Sequence, residues 1–130
     1  MAGMTTAQRL SIAPGARLWF SPIEWLSMLG PLPPGVVMAG DFASSTVAIV
    51  FISDSGSARW FLDGHRTAIN MPRALWICYP TLGSPAFNRT MLQTTLVGHG
   101  LQILGEVPFD ASWTALAVRH FVPGQPPHGA

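Results

Sequence analysis

Three short segments of the chain carry residues whose types and spacing suit the binding of a ligand. Asp41 follows the apolar segment Val36 to Ala39, a place from which an acid can hold ribose hydroxyls. Asp54-Ser55-Gly56 follows the apolar run Val47 to Ile52, and Tyr79-Pro80-Thr81 ends the run that begins at Ala74. If these runs are parallel strands, the segments lie at their carboxyl ends, the edge where open α/β sheets take ligands. Asp41, Asp54, Ser55, Gly56, Tyr79 and Thr81 are therefore the candidate cofactor-binding residues. Each also has a plainer account, which is preferred: a loop carboxylate beside Gly40, a helix cap at Asp54, strand-end packing at Tyr79 and Thr81.

Other chemistry is sparse. His65, His99, His120 and His128 lack partners at metal-ligand spacing, and a single cysteine cannot complete a zinc set. No metal site is expected. Neither a G-x-S-x-G elbow, an H-E-x-x-H helix nor a phosphate loop with Lys occurs. Cys78, between Ile77 and Tyr79, reads as a small core residue rather than a nucleophile. Six acids leave few groups for acid–base work, and Glu24 is expected to serve a helix cap. No catalytic residue is assigned, and the reading leans away from an enzyme.

Composition narrows the class further. The 130 residues suit one domain with one continuous core. Hydrophobic residues make up 48% and charged residues only 10%, against roughly 25% charged in an ordinary soluble domain. All seven basic residues are Arg, and the formal charge is +1, so no polybasic footprint for nucleic acid or anionic lipid is present. Arg17, Arg59, Arg66, Arg73, Arg89 and Arg119 are spread singly and read as isolated, solvated side chains. No apolar run approaches the roughly 18 residues of a membrane-spanning helix, and no secretory leader is visible. With one cysteine, the expectation is a cytoplasmic protein.

The elements that would position the candidates alternate between strand and helix. Thr5-Thr6-Ala7-Gln8 reads as a capping box opening a short helix to about Ser11. Pro14-Gly15 turns the chain into a strand, Arg17 to Phe20. Ser21-Pro22-Ile23-Glu24 reads as a helix start, with Ser21 as cap and Glu24 bonding back, and Gly30-Pro31 as the stop. Val36 to Ala39 is a second short strand, and Val47 to Ile52, apolar on both faces, is a central parallel one. Asp54 to Ser57 caps a helix with Ala58, Phe61, Leu62, His65, Ala68 and Ile69 on one face; Gly64 weakens it by about 1 kcal/mol. Ala74 to Tyr79 is another buried strand, and Ser84-Pro85 opens a helix that Gly98 to Gly100 close. Leu101 to Phe109 and Trp113 to Phe121 are joined by three residues, too few for a crossover, so they pair antiparallel. The domain is placed at 1–122, with 123–130 a disordered Pro/Gly-rich tail.

The order of elements resembles a shortened Rossmann-like methyltransferase domain, in which a parallel sheet with helices on both faces ends in a late antiparallel hairpin. The matching pieces are Pro14-Gly15, the two central strands and the terminal hairpin. Residues Ala2 to about Phe121 also resemble a family of short bacterial proteins catalogued as a domain of unknown function. The segments that carry this are "AGMT", "LSIAPGARL", "LGPLPPGV", "LWICYP" and "GLQILGEVPFDASWTALAVR", the last holding an Asp-x-x-Trp-Thr step. The resemblance implies a three-layer α/β fold. This chain departs from the family at Thr81-Leu82, where basic residues are usual, and at Arg73, where Gly is usual. It also lacks the cofactor loop of methyltransferases: no glycine stands between Gly15 and Gly30, and Ser21-Pro22 occupies the loop position. A side chain there obstructs close backbone approach, and Pro22 removes an N–H donor. S-adenosylmethionine is disfavoured as a cofactor on that ground, and none is assigned.

The expected function is therefore a non-catalytic, methyltransferase-like module acting through protein contacts, most simply as a homodimer. The alternative is a small-molecule or nucleotide binder, or a methyltransferase with an atypical cofactor loop. Five tryptophans and seven phenylalanines exceed what one small core can enclose. Trp25 and Trp60, on helices and beside the inward faces, are the expected contact residues for a second copy or a protein partner.

Overall fold

The computed structural model describes residues 5–121. Six strands form one sheet: β1 (Arg17–Ser21), β2 (Val37–Met38), β3 (Val47–Phe51), β4 (Ala74–Pro80), β5 (Leu101–Pro108) and β6 (Trp113–His120). Their order is β2-β1-β3-β4-β6-β5. The first four are parallel, and β6 runs antiparallel to both β4 and β5. This is the expected α/β architecture, with Val47–Phe51 between two parallel neighbours and the hairpin at one edge.

Burial on both faces results from alternation within β3 and β4. Ala48, Val50, Leu75, Ile77 and Tyr79 enter one apolar core, while Val47, Ile49, Trp76 and Cys78 enter the other. The first core lies under α2 (Ser55–Gly64) and α3 (Arg89–Gly98), which supply Ala58, Phe61, Leu62, Leu92 and Leu96. The second is closed by less regular chain: α1 (Thr6–Arg9), the 3-10 helix Ile23–Leu29, and Phe109 from the hairpin turn. Helix α1 has both arms of its capping box, Gln8 N–H to Thr5 Oγ1 (3.1 Å) and Thr5 N–H to Gln8 Oε1 (2.8 Å). Trp76 Nε1 donates to the Leu10 carbonyl (2.9 Å), and the Arg9 guanidinium donates to the carbonyls of Pro108 (3.2 Å) and Phe109 (2.9 Å). So short a helix needs these ties, because four residues cannot sustain a helix on propensity alone.

Four details depart from the sequence-based expectation. Ser21 does not cap a helix: it ends β1, and Pro22 takes the cap position without a side-chain bond, after a cis Ser21-Pro22 peptide. The chain beyond Pro22 winds into a 3-10 helix, whose three-residue repeat turns Leu26 and Leu29 to the core and leaves Trp25 and Met28 partly exposed on another row. Asn88, not Ser84-Pro85, caps α3, accepting from Met91 N–H at 3.1 Å; Ser84 and Phe87 instead close a turn upstream. The helix α2 stops at Gly64, short of the face expected to run to Ile69, though Ile69 is buried from the turns beyond. Strand β2 is reduced to Val37–Met38. The tail at 123–130 lies outside the described residues.

Candidate binding cleft at the carboxyl edge of the sheet

From β1 the chain goes through the 3-10 helix to β2 on one side; from β3 it goes through α2 to β4 on the other. Neighbouring strands that send the chain opposite ways leave a crevice between their carboxyl ends. A cleft of about 470 Å³ occupies that place. Ser21 and Pro22 supply its wall from β1, and Val50, Phe51 and Ile52 its wall from β3. Trp19, Ser57, Trp60, Phe61 and His65 complete it.

The floor is aromatic and fixed. Trp19 meets Phe42 edge to face at 5.2 Å, and His65 lies 4.5 Å from Phe61 and 4.8 Å from Phe42 between ring centroids. His65 Nδ1–H donates to the Phe61 carbonyl at 2.8 Å, which sets the tautomer and leaves Nε2 as the acceptor. Phe51, which packs with the second core, meets Trp25 (5.4 Å), Trp113 (4.9 Å) and Phe109 (5.0 Å) edge to face. Edge-to-face rings of this kind add about 0.5–1.5 kcal/mol per pair beyond burial. Trp60 is different: it lines the cleft from α2 and is 79% exposed. Trp25 is 38% exposed on the 3-10 helix.

The six candidate residues are not brought together. Asp54 is the N-cap of α2, its Oδ1 accepting from Ser57 N–H at 2.6 Å, and that bond holds its carboxyl below the usual range. Ser55 and Gly56 form the first turn of the same helix, so this segment adjoins the cleft through Ser57. Asp41 Oδ1 accepts from Ser44 N–H at 2.8 Å; the Ser44 hydroxyl first, and then this N–H, lower its carboxyl, and the Ser44 carbonyl is held by Arg17 Nε at 2.8 Å. Arg17 is the first residue of β1, so the Asp41 turn is tied to the start of that strand, while the adjoining Phe42 packs on Trp19 and His65. Tyr79 is buried in the core with α3, where burial raises its phenol above the ordinary value. Thr81 closes the end of β4, its N–H donating to the Ser112 carbonyl and its hydroxyl sharing a hydrogen bond with Thr114 at 2.8 Å. The cleft is lined instead by Trp19, Phe51, Trp60, Phe61 and His65, of which the sequence points only to Trp60 as a contact residue and places Phe61 and His65 on the inward helix face. Their signal was present as Ser57, Trp60 and Phe61 at helical spacing after Asp54, a pattern equally produced by core packing.

Among the described residues no group of His, Cys, Asp or Glu side chains could hold a metal ion, and no helix is long and apolar enough to cross a membrane. The end of β1 does not fit S-adenosylmethionine held on a glycine-rich loop. The backbone there is Ser21, then Pro22, which has no N–H to offer, and then a 3-10 helix.

No protein-family model and no curated protein matches the chain. Its fold is similar to that of solved structures at low identity. A protein of the NADB-Rossmann superfamily from Streptococcus agalactiae aligns over 92% of this chain and 69% of its own, at 13% identity and a TM-score of 0.54. Sp1610 of Streptococcus pneumoniae, named as a candidate tRNA (m1A22) methyltransferase, aligns over 92% of this chain and 71% of its own, at 14% identity and a TM-score of 0.51. A structure of the latter with S-adenosyl-L-methionine aligns over 91% of this chain and 72% of its own, at 16% identity and a TM-score of 0.48. The sheet order, the terminal hairpin and the first two of these likenesses give a Rossmann-like α/β fold, similar to that of Sp1610.

Proposed function

We propose that this chain is a non-catalytic, methyltransferase-like module that works by contact, and that a second copy docks on the tryptophan-bearing carboxyl edge. The observation that supports this is the exposure of Trp60, 79% of whose surface faces solvent beside an aromatic cleft. On the other face of the sheet, Phe51 meets Trp25 and Trp113, and Ile23 and Met28 are exposed on the 3-10 helix that carries Trp25. Tryptophan with its large apolar face is a frequent hot spot of interfaces, and large exposed apolar side chains at one edge suit a contact surface. The cleft presents no carboxylate and no cysteine among its lining residues, which suits apolar contact more than acid–base chemistry.

Light scattering on size-separated protein tests the reading. The wild-type chain is expected as a dimer at micromolar concentration and the Trp60→Ala variant as a monomer. A wild-type monomer at high micromolar concentration would refute it.

One observation favours a second reading, a small ligand in the cleft. Its position at the switch point and its volume of about 470 Å³ suit a compact planar apolar molecule laid against Trp60. A thermal-shift screen with S-adenosylmethionine and nucleotides tests it, since a ligand that binds only the folded chain raises its melting temperature. With S-adenosylmethionine the expected shift is small or absent; tight, specific binding by calorimetry would overturn that expectation.

A further inference from the structure

Three of the seven arginines, read from sequence as isolated, are brought to one edge. Arg17 begins β1, Arg73 directly precedes β4, and Arg119 lies on antiparallel β6, one residue beyond the Leu75–Val118 pair. Parallel strands share an amino edge, and the antiparallel partner returns its far end to it. The three side chains line a single cavity of about 500 Å³ with Ser44, Thr46 and Asn70, and no acidic residue lines it. Two of the other arginines face carboxylates instead: Arg66 meets Asp63 at 3.2 Å and Arg89 meets Glu106 at 2.8 Å.

The cavity is built rather than loosely gathered. Arg119 Nη1 donates to the carbonyls of Arg73 (2.9 Å) and Pro72 (3.4 Å), and Nη2 to that of Asn70 (3.5 Å). His120 N–H donates to Asn70 Oδ1 at 3.0 Å. Strand β6 thus anchors the segment that carries Arg73. Arg17 spends Nε on the Ser44 carbonyl, which fixes its direction and leaves both Nη groups without a partner among the described residues. The Arg73 guanidinium forms no hydrogen bond or ion pair among them. Asp41, the nearest acid to this edge in sequence, is committed to Ser44 N–H and does not line the cavity.

We propose that this amino edge is an anion site in which Arg17 and Arg73 hold a phosphate-class oxyanion. Planar guanidinium forks match phosphate oxygens in pairs, and charge-assisted bonds of this kind are about twice as strong as neutral ones. A positive wall without carboxylates also raises the local concentration of anions. The site is open to solvent, so it admits a phosphate ester as well as a free anion. The site is separate from the carboxyl-edge cleft and stands or falls independently of the dimer proposed there.

Calorimetry with pyrophosphate, against sodium chloride of equal ionic strength, tests it on the wild-type chain and on Arg73→Ala and Arg59→Ala. Both variants remove one exposed arginine; only the first touches the cavity. Saturable binding to the wild type is expected, weakened about tenfold or more in Arg73→Ala and less than about twofold in Arg59→Ala. Equal weakening in both would reduce the attraction to net charge and overturn the site, as would the absence of saturable binding. Melting temperatures in chloride, expected to be alike for all three, separate loss of the site from loss of the fold. Repeating the titration with a phosphomonoester distinguishes a free anion from an ester as the natural source.

Discussion

Removing the Trp60 indole should leave the folding of the single chain nearly untouched and weaken association about thirtyfold or more. The side chain is 79% exposed, so only about a fifth of a surface of ~200 Å² is covered within the chain. At ~25 cal/mol per Å², that fifth contributes ~1 kcal/mol to folding. Alanine returns up to ~0.7 kcal/mol through its better helix propensity, because position 60 lies inside α2. Compared below the dissociation constant of the dimer, where both chains are monomers, Trp60→Ala should therefore shift the urea midpoint by the equivalent of less than ~1 kcal/mol. Association should respond differently, since an interface tryptophan contributes ~2 kcal/mol or more, about thirtyfold in Kd. Urea titration by far-UV circular dichroism gives the first quantity and sedimentation equilibrium the second. A loss of folding stability of several kcal/mol would show that the indole belongs to the core. An unchanged Kd would remove it from the interface.

The packing and the caps lead to three more expectations. Phe109→Ala empties a fully buried position against Phe51 and should cost ~3–5 kcal/mol, read as a lower urea midpoint; a change under ~1 kcal/mol would contradict its place in the second core. The Asp54 carboxyl titrates lower in the folded chain than unfolded, so its contribution is present above the unfolded carboxylate range and is lost as pH falls through and below it. Asp54→Asn keeps a good N-cap, so it should match the wild type near neutral pH and lose less stability on acidification; identical acid profiles would refute the linkage. Cys78 is buried in β4, which pushes its thiol well above the ordinary value, so iodoacetamide should label it only as fast as the chain opens; rapid labelling in native buffer would place it at the surface.

What could be read from the sequence was local or doubly determined. Val47 to Val50 had to lie mid-sheet, because every residue of the run is apolar and both faces must then be covered. The final hairpin was fixed by a connection too short to cross over. The capping box at Thr5 was correct because both of its partners lie within four residues. At Asn88 the signal was ambiguous, since Ser84-Pro85 offers an equally good start and only the Ser84–Phe87 turn decides between them. The Ser21-Pro22 segment failed for a similar reason: the helix begins one residue later than the pattern suggests, with Pro22 rather than Ser21 at the cap. The cleft was illegible because its walls come from β1, β3 and α2, and a residue facing a cleft has the same spacing as one facing a core. The arginine cavity was illegible too, since strand direction alone brings residues 17, 73 and 119 to one edge.

The claim that the carboxyl edge is a contact surface is tested most directly by tracking the tryptophan indole N–H signals by NMR as the protein is diluted from millimolar to micromolar. Trp60 and Trp25 should shift as the complex dissociates, whereas Trp76, buried and bonded to the Leu10 carbonyl, should stay fixed. Indole signals that are all independent of concentration, with translational diffusion of a monomer throughout, would contradict the account.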